Sequence, residues 1–173
     1  MAMNLVALFS GEAYNMVCEF LGANWYALVA TVGLAALFVI HIIYAFWLTM
    51  QNRAARGHER YAVTAKPKNV EWASQNMLVL GIIVILGLAL HFVIMQTFSN
   101  TVFFVLYIIW LIALWFHLTH GFWSSMQTLG WNNTIWINRW KCISNIYSTI
   151  IVLGFMLVAV VFFLKNMMGC GAC

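Results

Sequence analysis

From residue 72 to residue 138 the chain carries no Asp, Glu, Lys or Arg, and the same holds from Phe20 to Asn52. Uncharged apolar runs of that length have few destinations in water. A helix that crosses a bilayer needs about 20 predominantly apolar residues, and four segments meet that demand: 24–50, 72–97, 102–126 and 146–164. Each is too long for a strand and too apolar around its circumference for a surface helix. With 65% hydrophobic and 7% charged residues in 173, an ordinary soluble domain is excluded. The expectation is an all-α membrane protein, a single domain over residues 1–173 with four antiparallel spans. The four-residue link 98–101 makes the second and third spans direct neighbours.

The net charge of +4 is a matter of topology, not a nucleic-acid footprint. Arg53, Arg56, Arg60, Lys66 and Lys68 follow the first span, and Arg139 and Lys141 follow the third. By the positive-inside rule both basic loops are cytoplasmic, which leaves Glu12, Glu19, Asn100 and the Cys170/Cys173 tail outside. The N-terminus lacks a basic stretch before an apolar run and a small-residue cleavage site, so no secretory signal is expected. Residues 1–9 read as the last turns of an apolar helix, broken at Ser10-Gly11, as though a span precedes them. The lone Cys-Gly-Ala-Cys end has no second pair or nearby His and reads as a frayed tail.

Against this background the histidines stand out. His41, His91 and His120 lie within apolar spans, and an imidazole in hydrocarbon is expensive without a partner. At about 1.5 Å of rise per residue, His41 and His120 both fall roughly 15 Å from the inner face, while His91 belongs to the outer leaflet. Two imidazoles at one depth on different helices suit the axial positions of a haem, each with its second ring nitrogen hydrogen-bonded. His91 would then be half of an outer site. His117, one turn from His120, is an alternative ligand or a neighbour serving a propionate, a quinone or a carbonyl. His58 reads as a solvated loop residue. Arg53, Arg56 and Arg60 are candidate propionate partners, or topogenic charge only. A lone histidine in a bundle is more often a packing residue, which is the plain alternative for each of them.

The run His117-Leu-Thr-His120-Gly121-Phe-Trp-Ser124-Ser-Met-Gln127-Thr-Leu-Gly130, with His41 through Asn52, Arg53, Ala55, Arg56 and Tyr61, resembles the cytochrome b membrane anchor of succinate dehydrogenase/fumarate reductase in its two-haem, single-anchor form. The resemblance covers essentially the whole chain, most specifically around His120-Gly121. It implies a haem b held by His41 and His120 nearer the hydrophilic subunits, and an outer haem held by His91. That family has five spans, so the outer haem's second ligand would lie on a first helix upstream of Met1, before an Asn-Leu like Asn4-Leu5. The implied role is electron transfer between an iron–sulfur subunit and a membrane quinone, menaquinone by type, in the bacterial cytoplasmic membrane. Dicarboxylate chemistry would belong to the partner flavoprotein. Glu12 or Glu19 would match an acid implicated in quinol chemistry in relatives, and Ser124 and Gln127 are weaker candidates for a quinone pocket. Some members carry a membrane glutamate where this chain has Leu118-Thr119, so that proton route is not expected here. Two rival expectations are a small histidine-lined transporter and a haem-free assembly anchor.

Overall fold

Two side chains set the breaks near the N-terminus of the computed structural model, which describes residues 2–57, 71–94, 100–131 and 133–168. Ser10, in extended backbone, stops the first helix (α1, Ala2–Phe9) and caps the second (α2, Gly11–Ala23) by accepting from Ala13 N–H at 3.2 Å. Asn24 does the same for the next junction by a different route. Its side-chain amide donates back to the Phe20 carbonyl at 2.7 Å, while its own carbonyl accepts from Ala27 N–H and starts α3 (Trp25–Arg56). At about 1.5 Å per residue α3 is roughly 48 Å long, more than a hydrocarbon core of about 30 Å requires. Its last turn holds Arg53 and Arg56, which complement the carbonyl end of the helix dipole. The helix ends at Gly57, whose φ of +66° is a conformation that glycine adopts without strain.

The chain divides into two units, one of residues Ser10–Val70 and one of Met1–Phe9 with Glu71–Cys173. In the first, α2 packs on α3, yet no α3 side chain is buried. Leu34 is 70% exposed and Leu28 66%. Water does not tolerate 32 residues of that composition uncovered; lipid does.

The second unit contains α1 and four more helices: α4 (Trp72–Gln75), α5 (Met77–Ile94), α6 (Thr101–Thr128) and α7 (Trp136–Met167). Helix α6 lies in the middle, with α5 on one side and α7 on the other, and α1 packs against α7. Both seams are antiparallel: Gly81 faces His117 and Gly87 faces Trp110 on one, Thr119 meets Ser144 and Phe104 meets Phe163 on the other. Leu80, Val84, Leu111, Ala113, Val152 and Ala159 form the apolar core between them. Small residues and hydroxyls make the close approach possible, the usual means by which helices associate where lipid removes the hydrophobic drive. Ser144 Oγ donates to the Thr119 carbonyl, and Trp115 Nε1 donates to Thr149 Oγ1 at 3.0 Å. Trp110 packs closely on Gly87 and donates from Nε1 to the Val84 carbonyl at 3.0 Å.

All regular structure among the described residues is helical, and α3, α6 and α7 are each long and apolar enough to cross a membrane. Two expected boundaries move. The expected continuous helix 72–97 is divided at Asn76, whose side-chain amide and backbone N–H both turn to the Trp72 carbonyl. That leaves α5 as a shorter apolar helix, with residues 95–99 outside the described set. The last helix begins at Trp136, ten residues before the expected start at 146, because Asn133 Oδ1 accepts from the N–H groups of Ile135 and Trp136 and nucleates it early.

Candidate functional site

Helix α6 presents His117 and His120 one turn apart, and their surroundings differ. His117 faces α5 at Gly81, where a methyl group added to the glycine would sit 3.5 Å from its Cε1. His120 is the buried one, 9% exposed, and looks toward the start of α4 and the early turns of α7. Its Nδ1 lies 3.7 Å from Glu71 Oε2, is shut off from solvent and has no hydrogen-bond partner among the described residues. The other carboxylate oxygen of Glu71 takes an ion pair from Lys141 Nζ at 2.7 Å. The same ammonium sits 4.6 Å above the Trp123 ring, a cation–π contact. Trp123 in turn packs edge-on to His120 at 4.9 Å.

Backbone carbonyls around His120 are already engaged. Thr119 Oγ1 donates to the carbonyls of Trp115 and Phe116, the second at 3.3 Å, and Ser144 Oγ donates to the Thr119 carbonyl. What remains beside the imidazole is a half-open pocket of about 210 Å³, lined by the Trp72, Trp115, Phe116 and Trp123 rings together with Glu71 and Lys141. Burial pushes the Glu71 pKa up, but the Lys141 ammonium, by hydrogen bond and charge, and then His120 outweigh it, so the carboxyl titrates below the ordinary carboxylate range.

These features suit the edge of a haem. A buried imidazole at the wall of a pocket can offer a ring nitrogen to a ligand, and aromatic walls suit a macrocycle. Drug-sized ligands occupy pockets of about 300–1,000 Å³, so 210 Å³ takes an edge and not the whole ring. Among the described residues no three His, Cys, Asp or Glu side chains converge as an ion site, and haem iron needs only two axial side chains.

The other sequence candidates are distributed as follows. His91 is half-buried on α5 between Trp110 (ring centroids 6.0 Å apart, nearly parallel) and Tyr107 (5.8 Å). Ser124 is half-buried and Gln127 exposed on α6, and neither lines the pocket. His41 lies on α3, and Arg53 and Arg56 are in its last turn; Glu12 and Glu19 lie on α2. These five side chains are exposed and belong to the other unit. His58, Arg60, Cys170 and Cys173 lie outside the described residues. Glu71 and Lys141, which sequence reasoning treated as loop charge, are the pocket members it missed. No spacing rule connects two residues on different helices so far apart in sequence. The one available clue was that Glu71 is the last acid before the long uncharged run.

Comparison with protein-family models, with curated proteins and with solved structures finds no match for the chain.

Proposed function

We propose that the chain is a haem b-carrying membrane anchor of the succinate:quinone oxidoreductase kind, which passes electrons between an iron–sulfur partner and a membrane quinone. One observation carries this: on a membrane-length helix, inside the run 117–130 that resembles the family's haem helix, His120 is buried at the wall of an aromatic pocket. When bound, the haem supplies one-electron chemistry, with a potential set by axial ligands and burial. The family resemblance makes His41 and His120 the residues proposed to hold a haem, with His91 proposed for an outer one. Trp115, Phe116 and Trp123, which line the pocket, would wall the macrocycle, and Lys141 would bring a cation to its rim. Arg53 and Arg56 remain candidates for the propionates. Menaquinone is the proposed quinone, the flavoprotein and iron–sulfur subunits are the proposed partners, and the bacterial cytoplasmic membrane is the proposed location.

The transporter alternative calls for helices broken near the midplane around a substrate. Helices α6 and α7 run unbroken for 28 and 32 residues, so that alternative gains no support. The test is the reduced-minus-oxidised absorption spectrum of the purified, assembled protein. A b-type α-band is expected, with the His120-held haem lost in His120→Ala and kept in His58→Ala. Assembled protein without such a band, or His120→Ala with full haem content, refutes the reading.

A further inference from the structure

A ligating histidine almost always gives its second ring N–H to a carboxylate, a carbonyl or a water, which fixes the tautomer and the ring plane and raises ligand basicity. On α6 the usual backbone choice is taken. The carbonyl one turn before His120, that of Phe116, already accepts from Thr119 Oγ1 at 3.3 Å. Glu71 is differently placed. It comes from another helix start, its Oε2 is 3.7 Å from His120 Nδ1, and its second oxygen is held at 2.7 Å by Lys141. Lys141 is itself steadied over Trp123, and Trp123 rests edge-on against the His120 ring. Three side chains therefore frame the imidazole, and the only acceptor among them faces Nδ1.

We propose that Glu71, anchored by Lys141, is the positioning carboxylate of His120. It accepts from Nδ1–H, which leaves Nε2 as the coordinating nitrogen and sets the plane of the imidazole. At 3.7 Å the pair is about 1 Å beyond a charge-assisted hydrogen bond of about 2.7–2.9 Å, and a small shift of the Glu71 side chain would close it. The inference rests on the haem reading and adds to it the residue that orients the ligand. Lys141 is part of the device because a carboxylate tied on one side has fewer orientations to lose.

The test compares Glu71→Ala, Glu71→Gln, Lys141→Met and His120→Ala in the full chain assembled in membranes. Three quantities are read: haem retained per chain, the g-values of the low-spin ferric haem, and its midpoint potential. Glu71→Ala is expected to weaken haem retention about 10–100-fold, to shift the g-values and to raise the potential, because a less basic imidazole stabilises ferric iron less. Glu71→Gln keeps an acceptor in the same position without the charge. It should restore retention while the potential stays raised, a pattern that a purely structural role does not produce. Lys141→Met should fall between wild type and Glu71→Ala. If Glu71→Ala fails to assemble, Glu71→Gln alone decides by its potential. Wild-type retention, g-values and potential in both Glu71 variants, alongside haem loss in His120→Ala, overturn this proposal and leave the haem reading intact. Full haem in His120→Ala overturns both.

Discussion

Replacing Gly87 with Ala tests the α5–α6 seam at its tightest point. In a helix interior Gly→Ala normally stabilises by about 1 kcal/mol through propensity. Here the new Cβ would lie 1.9 Å from Trp110 Cδ1, 2.2 Å from Cγ and 2.4 Å from Nε1. Carbon atoms in good contact are about 3.5–4.0 Å apart, so the indole must retreat by roughly 1.5 Å or more. These are ring atoms close to the backbone, not the end of a flexible chain, and they cannot swing aside alone. Retreat breaks the 3.0 Å bond from Trp110 Nε1 to the Val84 carbonyl, a loss of about 0.5–1.5 kcal/mol. It also disturbs the packing of Trp110 on His91 and Tyr107. Overpacking itself costs about 1–3 kcal/mol. With the propensity gain subtracted, Gly87→Ala should destabilise by about 1–3 kcal/mol. Gly33→Ala on α3, where an added Cβ meets nothing within 4 Å, should be neutral or stabilising. Unfolding in mixed micelles, followed by circular dichroism across a denaturing-detergent titration, measures both. In a Trp110→Leu background the Gly87→Ala penalty should vanish, a double-mutant cycle that isolates the clash. Gly87→Ala at least as stable as wild type would refute the packing argument.

Two further predictions concern groups inside the second unit. Ser144 and Ser148 are both fully buried, but Ser144 donates to the Thr119 carbonyl and Ser148 Oγ has no hydrogen-bond partner among the described residues. Ser144→Ala should therefore cost about 0.5–1.5 kcal/mol, while Ser148→Ala should be neutral or slightly stabilising in the same unfolding assay; equal losses would contradict the assignment. The Glu71 carboxyl has a depressed pKa in the folded chain, so its stabilisation is present above the unfolded pKa of about 4.3 and disappears as pH falls through the lower folded value. With the pair partly exposed, the amount is about 0.2–1 kcal/mol. Stability followed from pH 7 to pH 3 should fall more in wild type than in Lys141→Met, and identical pH profiles would remove the ion pair from the energetics.

The long apolar helices were legible because the membrane imposes one requirement, internal satisfaction of every backbone group, and uncharged length answers it. Segments 24–50 and 102–126 correspond to α3 and α6 within a few residues at each end. The missed boundaries are both set by asparagine. Hydropathy sees Asn76 and Asn133 as small polar interruptions, whereas their side chains carry out capping and back-bonding that stop or start a helix. Ser10 was visible as a break because a glycine follows it and the apolar run halts there. The histidines were visible as anomalies in hydrocarbon. Their neighbours were not, since which side of a helix meets which partner is decided by register across two seams. His117 and His120 look equivalent in the sequence; Gly81 opposite one and Glu71 beside the other separate them. The depth count also placed His120 well away from charge. Lys141 reaches it because α7 begins early and a four-carbon stem can run along apolar surface with its ammonium at the polar edge.

The charges at this end of the second unit have unequal explanations. Arg139 and Lys141 lie near the N-terminus of α7, where the helix dipole disfavours cations. Topology accounts for them nonetheless, since the positive-inside rule collects basic residues on one side whatever the local helix prefers. Topology does not account for Glu71. The residue occupies the N-cap position of α4 and makes no side-chain bond to the helix; glutamate is not among the preferred capping residues. Its two oxygens point instead to Lys141 and to His120. The 2.7 Å ion pair with Lys141 is the shorter of the two contacts, and it holds the carboxylate 3.7 Å from the imidazole. The ammonium of Lys141 and the buried ring of His120 therefore account for the position of Glu71 where neither topology nor capping does.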